Sequence, residues 1–199
     1  RIIGDAWEPP LWNVVYDENG NIFNYGLANF PVSDGMIQKY DSNFNLLWSR
    51  NFGNEGTDDS VDRLYFDNNK VVGIGKNGHE NGFDGESLWV IYNDPAGNTI
   101  WDFKETRNDF IYQGKDIVSD SQNNVYALFL EIYFPTSHVY NIGSVVKLDT
   151  NGNLIWKFKD GEDFNEDNFF PSKLYISNND YTILGVKEGK IWLKKFSVD

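Results

Sequence analysis

An acidic stretch around residue 165 contains the side chains that most resemble a metal site. Asp163, Asn165 and Asp167 place side-chain oxygens at alternate positions, which is the spacing of the first three ligands in a flexible calcium loop. The sixth position of such a loop is normally glycine and the twelfth a bidentate glutamate, but here they are Asn168 and Leu174. Calcium is one interpretation of these residues, and a solvated acidic loop is the other.

A second group of residues, mostly aromatic, could hold an organic ligand. Aromatic rings stack on sugars or pack against partner proteins, and both histidines of the chain lie among them. The candidate ligand-binding residues are Trp7, Phe30, His79, Phe83, Tyr133, Phe134, His138 and Tyr140. The alternative is that most of these rings fold inward and fill the gaps between packed sheets.

No catalytic residue can be assigned from a motif. Neither histidine stands in a Ser/His/Asp or zinc-binding motif, and the absence of cysteine excludes thiolate catalysis. The 30 aspartates and glutamates create many carboxylate pairs by chance, so such pairs identify no acid and base.

The elements that carry these residues follow a repeat marked by tryptophan. Trp48, Trp101 and Trp156 each end a short phrase of turn residues followed by apolar residues, at intervals of 53 and 55. Apolar runs of strand length alternate with Asn, Asp and Gly turns, and no segment has helical periodicity. A repeat of this length predicts an all-β propeller of about four four-stranded blades. The tryptophans are interpreted as contacts between neighbouring blades.

The repeat divides a single domain, residues 1–199, into four units. They comprise approximately residues 11–59, 60–110, 111–168 and 169–199, with Tyr40, Tyr92, Leu148 and Phe196 aligned at one position of the third strand. The last unit lacks a fourth strand, so a small four-bladed ring and four blades of a larger propeller are both compatible with the sequence. In either case the longer connections share one face, and the candidate ligand-binding residues lie on them.

Two segments carry a family resemblance. Residues 34–41 (DGMIQKYD), followed by 45–48 (NLLW), resemble the bacterial SBBP-type β-propeller repeats, and residues 152–158 (GNLIWKF) resemble the PQQ-type propeller repeats of quinoproteins. The resemblance extends over nearly the whole chain. It implies a propeller fold and a secreted, periplasmic or cell-surface protein, often a non-catalytic binding scaffold.

The charge of the chain restricts its partners. A net charge of −13 without a basic stripe disfavours nucleic acids and anionic membranes, and no apolar stretch is long enough for a membrane helix. We therefore expect a non-catalytic module that binds carbohydrate or protein through the long connections. Two alternatives stay open, namely a propeller enzyme (lyase, glycosidase or quinoprotein-like) and a structural module of a larger surface assembly.

Overall fold

A computed structural model describes residues 11–28, 33–53, 56–67, 70–78, 86–135, 139–160, 169–177 and 180–197, with the main chain alone at 11, 12, 67 and 197. The described residues form fifteen β-strands and no helix. Within them, no segment has the helical structure, length and hydrophobicity that a membrane-spanning helix needs.

The strands form four antiparallel sheets, and in each sheet they follow chain order. The first sheet contains β1 (Leu11–Tyr16), β2 (Ile22–Ala28), β3 (Asp34–Tyr40) and β4 (Leu46–Phe52). The second contains β5 (Ser60–Asp67), β6 (Lys70–Asn77), β7 (Ser87–Asn93) and β8 (Thr99–Thr106). The third contains β9 (Phe110–Ser119), β10 (Val125–Tyr133), β11 (Tyr140–Leu148) and β12 (Leu154–Asp160). The fourth contains β13 (Phe169–Ser177), β14 (Asp180–Lys187) and β15 (Lys190–Ser197). This arrangement confirms the predicted all-β propeller of about four blades, with three strands described in the fourth.

The hydrophobic core lies between successive sheets. Three apolar clusters form where the first sheet meets the second, the second meets the third and the third meets the fourth. The central strands therefore have apolar residues on both faces, and every residue of β7 is buried. Burial on both faces explains why the sequence shows continuous apolar runs in these strands, and not the alternation of a half-exposed sheet.

Tight turns of one design connect the strands at the end of the sheets opposite the long connections. In five copies an aspartate is followed four residues later by an asparagine: Asp17/Asn21, Asp41/Asn45, Asp94/Asn98, Asp120/Asn124 and Asp149/Asn153. One carboxylate oxygen accepts main-chain N–H groups two and four residues on, and the other accepts the asparagine amide. These bonds, led by the asparagine amide, hold the pKa values of Asp41, Asp94 and Asp149 below the ordinary range.

The fourth residue of each turn has a positive φ angle. Gly20, Gly97 and Gly152 take this position in three copies, with φ of 74°, 81° and 84°. Phe44 and Asn123 take it in the other two, although left-handed backbone is unfavourable for a residue with a side chain. The carboxylate bonds therefore hold the turn geometry even where glycine is missing.

The recurring tryptophans join neighbouring sheets. The Trp48 indole donates from Nε1 to the carbonyl of Pro95 at 3.1 Å, and the Trp101 indole donates to the carbonyl of Thr150 at 3.0 Å. Each acceptor lies in the turn between the third and fourth strands of the next sheet. A Cβ atom on Gly152 would lie 2.8 Å from the Trp101 ring, so glycine permits this close approach. The structure thus confirms the predicted contact between blades at these two positions.

One detail of the sequence alignment was wrong. Lys39, Tyr92 and Lys147 lie opposite the three tryptophans, so Tyr92 corresponds to these lysines and not to Tyr40. Asn93 holds the position of Tyr40 and Leu148, directly before the turn aspartate, and its polar side chain hid the match.

The first strand of every sheet contains a β-bulge. The register shifts leave Trp12, Asp62, Lys115 and Ser172 without a cross-strand partner in β1, β5, β9 and β13. These first strands contact each other in the order β5, β9, β13. They thus form the inner wall of the propeller, and bulges of this kind redirect side chains away from a regular ladder.

The outer face of the fourth sheet is exposed. Leu193 holds the position that Ile37, Val90 and Val145 hold in the third strands of the other sheets. Those three residues are completely buried by the following sheet, whereas Leu193 is 64% exposed. Ile191, two residues earlier on the same face, is 81% exposed.

Candidate functional site

A cleft opens between the inner strands of the second and third sheets, close to the end where the long connections lie. Its volume is about 300 Å³, which is the lower end of the range for small-ligand sites. The lining residues are Ser60, Asp62, Arg63, Lys76, Ile111, Tyr112, Gln113, Gly114 and Lys115. Both strands contribute their bulged residues, Asp62 and Lys115, so the irregular backbone supplies two of the ionisable groups.

Asp62 is the buried carboxylate of this cleft. Its Oδ2 accepts the main-chain N–H of Gly114 at 2.7 Å, which joins β5 to β9, and its Oδ1 accepts the hydroxyl of Ser60 at 2.9 Å. Burial raises the pKa of Asp62, and these hydrogen bonds oppose the rise only in part. Asp62 can therefore hold a proton at a higher pH than an exposed aspartate can.

Three cations surround this carboxylate. Lys76 forms a salt bridge with Glu86 at 2.5 Å, whereas Arg63 and Lys115 form no salt bridge with any carboxylate that the structure describes. Arg63 instead donates to the main-chain carbonyl of Asp62 at 2.5 Å. Burial, followed by the nearby charge of Arg63, lowers the pKa of Lys115. The cleft is thus locally basic in a chain of net charge −13.

A buried charge cluster lies behind the cleft, in the core between the second and third sheets. Glu131 is completely buried and lies 2.7 Å from Lys157 Nζ, 3.6 Å from Arg107 Nη1 and 3.7 Å from Lys159 Nζ. Lys157 also contacts Glu105 of the second sheet at 2.8 Å. The oxygens of Glu131 make these ion contacts without a hydrogen bond of regular geometry, so the attraction is mainly Coulombic.

Tyr112 connects the cleft to this cluster. Its main chain donates to Glu86 Oε2 at 3.2 Å, while its completely buried hydroxyl has no hydrogen-bond partner among the described residues. Burial raises the pKa of Tyr112, and the charge of Glu131 adds to the rise. The hydroxyl therefore stays protonated, and we assign it no acid–base role.

Three of the residues predicted to bind ligand lie together at the end of the third sheet. Tyr133 stacks on Phe110 at 4.6 Å between ring centroids and on Tyr140 at 6.2 Å, and Arg107 lies 4.1 Å from the Phe110 ring. This packing occupies much of the Tyr133 ring and fits the alternative interpretation that such rings fill gaps. Phe134 is 39% exposed, so its ring remains accessible to a ligand.

The other predicted site residues fall outside the described part of the chain. These are the ligand-binding candidates Trp7, Phe30, His79, Phe83 and His138, and the calcium candidates Asp163, Asn165 and Asp167. Among the residues that the structure describes, no group of three or more histidines, aspartates or glutamates is arranged to hold a metal ion.

Sequence reasoning missed the cleft. Its charged residues Asp62, Arg63 and Lys115 belong to strands, whereas the predicted ligand-binding residues lie on the connections between strands. A signal was nevertheless present, because both inner strands contain a pair of adjacent charged residues, Asp62-Arg63 and Lys115-Asp116, directly before apolar ones. Charges at such positions indicate either a bulge or a polar wall, but the sequence does not show which two strands will face each other.

The chemistry available in the cleft is proton transfer and anion binding. A carboxyl group with a raised pKa can donate a proton, and unpaired guanidinium and ammonium groups can bind a carboxylate or sulfate. Gln113 is exposed, and its amide adds a donor and an acceptor for hydroxyl groups.

Comparison with known proteins identifies the fold but no family. No protein-family model matches the sequence, and no curated protein matches it. Among solved structures, an ulvan lyase from a new polysaccharide lyase family aligns with a TM-score of 0.51 and 11% identity. The alignment covers 92% of this chain and 54% of that one, so this chain spans about half of the lyase.

Two further solved structures align less closely. An endo-arabinase from Bacteroides thetaiotaomicron has a TM-score of 0.48 at 10% identity, with 92% of this chain and 72% of that chain covered. A mannose phosphorylase from Leishmania mexicana has a TM-score of 0.33 at 8% identity, with 94% and 82% covered. At such identities a structural likeness concerns the arrangement of the sheets, and scores this low add nothing to the argument.

Proposed function

We propose that this protein is a carbohydrate-active propeller and that the cleft between the second and third sheets is its active site. The observation that carries the proposal is the buried carboxyl group of Asp62, whose pKa is raised, in a cleft where Arg63 and Lys115 form no salt bridge with a carboxylate of the described residues. The ulvan lyase of similar fold is a polysaccharide lyase, which is consistent with this proposal.

The enzyme classes that suit the cleft are glycosidases and lyases. In a glycosidase a nucleophile such as water bonds to the anomeric carbon as the glycosidic C–O bond breaks, and in a lyase a base removes a ring proton as the C–O bond to the departing sugar breaks and a C=C bond forms. In both reactions the departing sugar oxygen takes up a proton. Asp62 is the residue that we assign to this step. Its Oδ1 is bonded to the Ser60 hydroxyl, which can accept a hydrogen bond as well as donate one, so a protonated Asp62 can keep this contact.

This proposal differs from the main expectation drawn from the sequence, which was a non-catalytic binding module. The known propeller of similar fold favours the enzyme alternative, and the proton-holding carboxyl group gives that alternative a chemical basis. We also propose that the protein is located outside the cytoplasm and that its ligand is a carbohydrate. A non-catalytic role is the competing outcome of the experiment below.

The test is product release from a panel of polysaccharides, read as new reducing ends and as the ultraviolet absorbance of an unsaturated product. With an active substrate, Asp62→Asn should lower kcat by about 10²- to 10⁴-fold, the range that a general acid contributes. The substitution keeps the shape of the side chain and an acceptor for the Gly114 N–H.

The matched control is Asp116→Asn. Asp116 Oδ2 accepts the main-chain N–H of Leu174 at 2.9 Å, so it joins the third sheet to the fourth as Asp62 joins the second to the third. It does not line the cleft. Full activity in Asp62→Asn would refute the assignment, and equal losses in both variants would indicate damage to sheet packing. Binding without any product release would favour the non-catalytic module.

A further inference from the structure

The cleft between the second and third sheets reverses the sign of charge that dominates the chain. Its lining contains three cations and one carboxylate, whereas the whole chain has 30 acidic and 17 basic residues. The one carboxylate, Asp62, is bonded to Ser60 and to the main chain of Gly114. Glu86 neutralises Lys76, and Asp62 is the one carboxylate of the described residues that acts on Arg63 and Lys115, so these groups leave an excess of positive charge in the cleft.

Two of these cations, Arg63 and Lys115, have no carboxylate at ion-pair distance among the residues that the structure describes. Arg63 bonds a main-chain carbonyl at 2.5 Å, and Lys115 donates to the amide oxygen of Gln113 at 2.7 Å. Both acceptors are neutral. The nearby charge of Arg63 also lowers the pKa of Lys115, which places the two cations within electrostatic reach of each other. Asp62 opposes this effect on Lys115, but burial favours the protonated form of that one carboxyl group, so the pair Arg63 and Lys115 keeps an excess of positive charge that an anionic ligand would offset.

The next inner-strand gap offers an internal comparison. Lys173 stands in β13 at the position that Arg63 holds in β5, directly after the bulge. Its ammonium group is 3.0 Å from Asp116 Oδ1, so the charge of Lys173 is neutralised within the protein. The equivalent positions therefore differ in one respect: Lys173 forms a salt bridge with a carboxylate, whereas Arg63 forms none with any carboxylate that the structure describes.

We propose that the carbohydrate bound in this cleft is anionic and that its carboxylate or sulfate group lies between Arg63 and Lys115. The inference rests on the proposed carbohydrate function and adds the class of sugar. A guanidinium group binds either anion through two parallel N–H donors, and an ammonium group supplies a point charge from the other side. The β-bulge at Lys115 gives its side chain a direction that a regular strand would not.

Four defined oligosaccharides test the inference by calorimetric titration. Oligogalacturonate carries carboxylates and its methyl ester is neutral, while a sulfated galactan oligosaccharide carries sulfates and its desulfated form is neutral. We expect one anionic probe to bind at least 10-fold more tightly than its neutral counterpart. The pair that shows the difference identifies the source of the anion.

The variants Arg63→Gln and Lys115→Gln should each remove most of that 10-fold preference, and Lys173→Gln should retain it. Circular dichroism establishes that each variant is folded. Equal affinity for anionic and neutral probes, or a preference that survives both cleft variants, would overturn the inference while leaving a carbohydrate function in place. Failure of all four probes to bind would count against the proposed function itself, and the inference would fall with it.

Discussion

Adding one methyl group at Gly152 should measure how tightly the sheets are joined through tryptophan. Gly152 has a φ of 84°, and a Cβ there would lie 2.8 Å from the Trp101 ring. An L-residue in left-handed backbone costs about 1 kcal/mol, and overpacking adds about 1–3 kcal/mol. We therefore expect Gly152→Ala to lower the free energy of unfolding by about 2–4 kcal/mol.

Gly20 provides the matched control. It holds the same position in a turn of the same design, with a φ of 74°, but a Cβ there would have no heavy atom within 4 Å. Gly20→Ala should therefore show the backbone cost alone, about 1 kcal/mol. Urea denaturation followed by far-ultraviolet circular dichroism measures both values, and their difference isolates the contact between sheets.

A double-mutant cycle completes the test. Trp101→Ala removes the ring, so in that background Gly152→Ala should cost no more than Gly20→Ala does. Equal costs for Gly20→Ala and Gly152→Ala in the otherwise unchanged protein would refute the reasoning, because the Trp101 contact would then contribute no steric constraint.

Three other predictions concern burial and charge. Val145→Ala should lower the free energy of unfolding by about 2–3 kcal/mol, whereas Leu193→Ala at the equivalent exposed position should change it by less than about 0.5 kcal/mol in urea titrations. Similar losses would show that the outer face of the fourth sheet is covered in solution. Tyr112→Phe should leave the free energy of unfolding unchanged or raise it by up to about 1 kcal/mol, because the buried hydroxyl has no hydrogen-bond partner among the described residues. A clear decrease in the same assay would show that the hydroxyl forms a hydrogen bond. The pKa of Asp94 is lowered in the folded chain, so folding weakens proton binding by this carboxylate. The contribution of the ionised Asp94 to the free energy of unfolding is therefore lost as the pH falls below the ordinary pKa of 3.8. The Tm of the parent protein should exceed that of Asn98→Ala at pH 7, and this difference should be smaller at pH 3. The same difference at both pH values would contradict this account.

The repeat allowed most of the fold to be predicted from local chemistry. The turns depend on bonds between residues two and four positions apart, such as those between Asp149 and Asn153, so the information they need is contiguous. The tryptophan contact could be inferred for a related reason, since Trp48 and Trp101 recur at equivalent positions and must meet equivalent surroundings. The error at Tyr92 arose because the position equivalent to Tyr40 holds a polar residue, Asn93, and an aromatic residue stands next to it.

The candidate site could not be predicted in the same way, because it depends on irregularities. The bulge at Asp62 or Lys115 is one residue more in the inner strand than in the strand paired with it, so its position depends on the sequences of both strands. The burial of Glu131 likewise depends on cations from elsewhere in the chain, namely Arg107 of the β8–β9 connection and Lys157 and Lys159 of β12. Such groups are far apart in the chain, so composition and spacing indicate charge without indicating proximity.

The exposed outer face of the fourth sheet has a consequence for how the molecule opens. Among the described residues, the apolar clusters join each sheet to its neighbours in the chain, so cooperativity between sheets passes from one to the next, as in linear arrays of repeats. The third sheet is held from both sides, whereas the face that includes Ile191 and Leu193 gains no such support. Amide protons of β14 and β15 should therefore exchange with solvent through partial openings that leave β10 and β11 protected, so that unfolding begins at this boundary and advances inward.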